Sequence, residues 1–111
     1  MALERVEPSE IVNLHSVLEE AGANEAYTLT KTDAFQAIVM RLPTGKAVGE
    51  HSVDGPIIVH CLEGTIEFPV DGASRTLGSG DWMFLPGGTP HSYEVLEDAR
   101  VLVTILFNGA E

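Results

Sequence analysis

The chain contains one cysteine, Cys61, among 111 residues, so no internal disulfide can form. No run of 18 consecutive apolar residues occurs, which argues against a transmembrane helix. Its first residues, Met1-Ala2-Leu3-Glu4-Arg5, offer neither a basic n-region nor an apolar h-region, so no signal peptide is expected. With the lone thiol, this makes the reducing cytoplasm the expected location. Basic residues are scarce: six Lys and Arg stand against 17 Asp and Glu, a formal net charge of −11. Phosphate backbones and anionic membrane surfaces are repelled by such a chain, so neither nucleic acid nor a membrane is an expected partner. Internal repeats and low-complexity stretches are absent.

What remains is enough for one ordinary core. The hydrophobic fraction is 44% and the mean hydropathy +0.11, values of a folded chain rather than a disordered one. A chain of this length makes one domain and buries roughly 65% of its unfolded surface, without needing a disulfide or structural zinc.

Residues 1–26 differ from the rest. They carry six of the acidic residues, and Pro8-Ser9-Glu10 reads as the start of a helix. Ile11, Leu14, Leu18 and Ala21 fall at helical spacing, with Gly22 as a stop. Glu10 to Leu14 also suits a short edge strand, so this segment is expected as a short helix or arm packing on a larger body. From residue 27 to 111 the pattern is β. Tyr27 to Thr30, Phe35 to Leu42, Pro56 to Leu62, Thr65 to Val70, Trp82 to Leu85, His91 to Val95 and Val101 to Phe107 are strand-like. Pro43-Thr44-Gly45, Glu63-Gly64 and Asp71-Gly72 punctuate them. About eight or nine short strands with frequent turns predict an all-β sandwich or barrel.

Two strands break the usual alternation. Val101 to Phe107, and Ile57 to Leu62 apart from His60, are apolar on both faces. Their outer faces need cover, either from a second copy of the chain or from the N-terminal arm. A homodimer through an apolar outer sheet is the favoured expectation, because such a patch left bare is an aggregation hazard.

One segment carries a spaced motif. Gly80-Asp81-Trp82-Met83-Phe84-Leu85-Pro86-Gly87-Gly88-Thr89-Pro90-His91 reads as Gly, five residues, Pro, one residue, Gly, two residues, His. It resembles the second of the two motifs of the cupin superfamily. The first motif is matched in part: Gly45 at its opening Gly, His51 at its first His and Gly64 at its closing Gly. Val53 stands at its second His and Ile57 at its Glu. The 15 residues between Gly64 and Gly80 are similar to the short linker of small single-domain cupins. The resemblance covers roughly residues 33–107. It implies a double-stranded β-helix, or jelly-roll barrel, with an internal cavity.

Cupins with the full motif hold a divalent metal (iron, manganese, nickel, copper or zinc) on three His and one Glu. Here the resemblance leaves His51 and His91 as metal ligands, with His60 a third candidate. A divalent ion on two neutral imidazoles would keep its charge in an apolar cavity, at a desolvation cost of several kcal/mol. The expectation is therefore a metal on His51 and His91 or none. Strand parity turns His60 away from the cavity if Ile57 faces it, unless a bulge intervenes. Glu50 and Asp54 are out of phase with His51. Cys61 is in phase with Ile57 but four residues deeper, where a lone Cys serves as a small hydrophobe.

Tyr93 shares a strand face with His91, and some cofactor-free cupin isomerases use a His and a Tyr as base and acid. The expected site is thus a cavity lined by His51, Val53, Ile57, Val59, His91 and Tyr93, binding a small organic ligand with or without metal. A metal-dependent dioxygenase or isomerase on His51 and His91, or a cofactor-free isomerase on His91 and Tyr93, is the alternative. Of the strand Trp82 to Leu85, either Trp82 and Phe84 or Met83 and Leu85 face inward.

Overall fold

A computed structural model describes residues 6–21 and 26–107. They form one helix, α1 (Leu14–Ala21), and seven strands: β1 (Ala26–Lys31), β2 (Phe35–Leu42), β3 (Ala47–His51), β4 (Ile57–Glu67), β5 (Thr76–Leu77), β6 (Trp82–Leu85) and β7 (His91–Leu106). All strand pairs are antiparallel. The sheet folds over into two layers, giving the all-β jelly-roll barrel. One layer runs β1, β2, the second half of β7, the first half of β4, then β6. The other runs β3, the first half of β7, the second half of β4, then β5.

β4 and β7 therefore belong to both layers. The sequence divides each of them into two strands at Glu63-Gly64 and after Val95, but the chain bends there without stopping. The β4–β7 register slips between Cys61 and Glu63, between Glu63 and Thr65, and again before Ile66. Such bulges curl a sheet while keeping it paired. Gly64 makes the bend feasible: its φ is +89°, and a Cβ there would stand 2.2 Å from the Asp98 carbonyl oxygen. The Asp71-Gly72 turn is a two-residue hairpin, with positive φ at both residues and paired Val70–Ala73 backbone bonds of 2.9 Å.

The core lies between the layers. Val59, Cys61 and Val101 from one layer meet Ile66, Phe68, Leu77 and Val95 from the other. Leu85 is buried and Met83 packs on this core, whereas Trp82 and Phe84 point outward with 59% and 49% exposure. That settles which pair faces inside.

The N-terminal segment differs from expectation in its helix start. Pro8-Ser9 is a turn, Ser9 has φ +72°, and Ile11 is 95% exposed. The helix begins after Asn13, whose Oδ1 accepts the His15 and Ser16 amides at 3.0 and 3.1 Å. An Asn cap of this kind satisfies donors that the helix itself leaves unpaired, which Glu10 does not do here. Gly22, the expected stop, lies outside the described residues, as do the side chains of Leu18 and Ala21. The residue that anchors the segment is Val17, buried in a second cluster with Leu29, Ala37 and Val39. Val6, Val12 and Leu14 pack on it, as do Leu62 and Leu102 of the sheet's outer face. The arm thus covers the β1–β2 side of that face. Among the described residues no helix is long and apolar enough to cross a membrane.

Candidate functional site

The cavity sits inside the barrel, near the end where β3 and β7 meet. Gly45, with φ +92°, turns the chain between β2 and β3. β3 then slips its register against β7, so that His51 comes opposite His91, the first residue of β7. The two motif histidines, 40 positions apart in the sequence, become cross-strand neighbours. Their rings stand edge to face with centroids 4.3 Å apart and an interplanar angle of 64°. The Pro86–Gly88 turn holds this end in place. The Gly88 amide donates to the Val53 carbonyl at 2.7 Å, and a Cβ on Gly87 would stand 2.1 Å from the Asp54 carbonyl oxygen.

His91 is 5% exposed, while His51 is exposed at the cavity mouth. The Nδ1 of His91 lies 2.9 Å from the Thr89 carbonyl oxygen, and that of His51 lies 2.9 Å from the Gly49 carbonyl oxygen. A carbonyl only accepts, so each Nδ1 carries the proton. Neutral imidazole has one N–H, which leaves each Nε2 a lone-pair acceptor on the opposite side of the ring.

The cavity has a volume of about 160 Å³. All six residues expected from the sequence, His51, Val53, Ile57, Val59, His91 and Tyr93, border it. Ile38, Met40, Phe68, Val103 and Ile105 complete the wall and were not foreseen. Strand parity on β2 and on the second half of β7 marks four of them as inward-facing; Phe68, just past β4, carries no motif. Its ring lies near-parallel to those of His91 and Tyr93, at 5.6 and 6.0 Å between centroids. Aromatic pairs of this kind contribute about 0.5–1.5 kcal/mol beyond their buried area, and here they fix the ring planes of the polar residues.

His60 is not a cavity residue. It pairs in register with Trp82 and Leu102, and Leu102 packs in the cluster on the outer face. The bulges of β4 begin after Cys61, too late to turn His60 inward. Cys61 is fully buried in the core, its Sγ donating to the Glu63 and Gly64 carbonyls at 3.3 and 3.7 Å. Burial, reinforced by the negative charge of Asp81, pushes its thiol pKa up, which disfavours the thiolate that a metal needs. Among the described residues no three His, Cys, Asp or Glu side chains come together as a metal-holding group. The donor set is two neutral imidazoles in an apolar wall, and it does not fit a tightly held divalent ion.

A wider groove of about 540 Å³ lies outside the barrel, lined by Arg41, Leu42, Glu63, Asp98 and Arg100 among others. Three of its charged groups are engaged within the chain. Arg100 lies 3.6 Å from the Glu63 carboxylate, and Asp98 accepts from the Thr44 amide and hydroxyl at 2.8 and 2.7 Å.

Comparison with known proteins agrees with this geometry. The family model described as Cupin domain matches residues 38–107. Quercetin 2,3-dioxygenase of Bacillus subtilis (strain 168) is 31% identical over 81 residues, which are 69% of this chain. The chain spans only 23% of that enzyme's length. An uncharacterized protein of Aquifex aeolicus (strain VF5) is 24% identical over 102 residues, covering 88% of this chain and 84% of its own. Among solved structures, a cupin superfamily protein of Desulfitobacterium hafniense superposes with a TM-score of 0.79 at 19% identity. That match covers 97% of this chain and all of the other.

Proposed function

The chain belongs to the cupin domain family, and from that premise we propose that its barrel binds a small organic molecule in the cavity beneath His51 and His91. One observation carries the reading: among the described residues, the polar side chains bordering that wall are His51, His91 and Tyr93, in an otherwise apolar space. An apolar pocket with a few convergent polar groups is the usual form of a small-molecule site. A divalent metal is at most a weakly held companion, since the second His and the Glu of the first motif are Val53 and Ile57. Gentle purification followed by native mass spectrometry tests the reading. A bound small molecule in the wild-type protein, lost in His91→Leu, supports it. A stoichiometric, chelator-resistant metal overturns it.

A cofactor-free isomerase is the second reading. His91 and Tyr93 border the same cavity from one strand, as a base and an acid must. Loss of turnover in a folded Tyr93→Phe variant would favour it over binding alone.

The same proposal extends to partners. Two copies associate through the outer face left bare beside β6, where Trp82 and Phe84 are exposed. The net charge of −11 argues against nucleic acid, and the cytoplasm is the proposed location.

A further inference from the structure

We infer that the cavity selects a neutral molecule, about the size of one six-membered ring, that donates a hydrogen bond; this rests on the ligand-binding reading above. Size comes first. A cavity of about 160 Å³ compares with the roughly 150 Å³ apolar cavities that accept benzene, so a single ring fills the space behind the His51 mouth. Charge comes second. Among the described residues no Lys, Arg, Asp or Glu borders the cavity, so a carboxylate or phosphate would enter without a fixed counter-charge. The chain's charge of −11 adds to that penalty for an anion.

Hydrogen-bond direction comes third and decides the class. The Thr89 and Gly49 carbonyls hold the protons of both imidazoles on Nδ1. Each Nε2 therefore carries a lone pair, on two rings whose centroids stand 4.3 Å apart. A hydroxyl or N–H on the ligand satisfies them. An apolar ligand leaves them bare, and a ligand offering only acceptors faces lone pair against lone pair.

Three probes of similar size separate these statements: phenol, toluene and benzoate, titrated into the wild-type protein at pH 8 by calorimetry and by ¹⁵N chemical shifts of the histidine rings. The expected result is that phenol binds at least as tightly as toluene, moves the Nε2 resonances that toluene leaves in place, and that benzoate does not bind. His51→Ala, at an exposed position, should weaken phenol about tenfold and leave toluene within twofold. Toluene binding tenfold or more above phenol overturns the donor class while the cavity stands as a binding site. Benzoate binding tightest overturns the neutral class. If none of the three binds, the ligand-binding reading fails and this inference falls with it.

Discussion

Gly64 lies so close to the Asp98 carbonyl that a Cβ on it would meet that oxygen at 2.2 Å and the Ala99 Cα at 2.6 Å. The two residues mark the bend at which both long strands pass from one layer to the other. Gly64→Ala should therefore destabilise the protein by at least about 2 kcal/mol, from the positive φ and the clash with backbone together. Denaturant unfolding checks this. Gly72→Ala is the control, since a Cβ there meets nothing within 4 Å although its φ is also positive. It should cost less than half as much.

The donor set predicts how the protein treats metals. Purified without an affinity tag, it should carry well under one equivalent of iron, manganese, nickel, copper or zinc by elemental analysis. Dialysis against a chelator should leave its melting temperature unchanged within about 1 °C, because nothing that binds only the folded state is removed.

Asp98 predicts a pH dependence. The Thr44 hydroxyl, with the Thr44 amide behind it, holds the Asp98 carboxyl below its ordinary value of 3.8. A folded pKa below the unfolded one gives stability that is complete above the unfolded value and is lost as pH falls through the folded one. Thr44→Val should raise the Asp98 pKa toward the ordinary value and move acid unfolding to higher pH. Carboxyl ¹³C titration and circular dichroism read the two effects.

Val17 ties the N-terminal segment to the sheet. Val17→Ala removes two buried methyl groups and should cost about 1.5 kcal/mol. It should also increase binding of an apolar dye, as Leu29 and Val39 lose their cover.

If the bare β6 side is the contact between copies, Trp82→Ser with Phe84→Ser should convert a dimer to a folded monomer by light scattering. A wild-type protein that is monomeric at 100 μM would dismiss the contact.

How far the sequence reached is clear from particular residues. The barrel was legible because Gly80, Pro86, Gly88 and His91 carry a spaced motif, and because short strand-like runs are punctuated by turn residues. Ile57 was placed in the cavity wall by its position in the first motif, Val59 by parity with it, and the same parity turned His60 outward. Phe68 lies on the apolar face of the alternating 65–70 stretch, but its place in the cavity was not legible, because the bulges between Cys61 and Ile66 break the parity that would tie it to Ile57. The helix start was misplaced because Pro8-Ser9-Glu10 and Asn13 both have the chemistry of a cap, and only tertiary packing of Val17 chooses between them. β3 was missed because Ala-Val-Gly-Glu-His has little strand propensity and is held by its pairing with β7.

The continuity of β4 and β7 through both layers bears on how the molecule comes apart. Neither layer owns a complete set of strands, so one cannot open while the other stays intact. Thermal or chemical melting should therefore proceed as a single event, and the slowest amide exchange should follow these two strands from end to end rather than mark off a stable half.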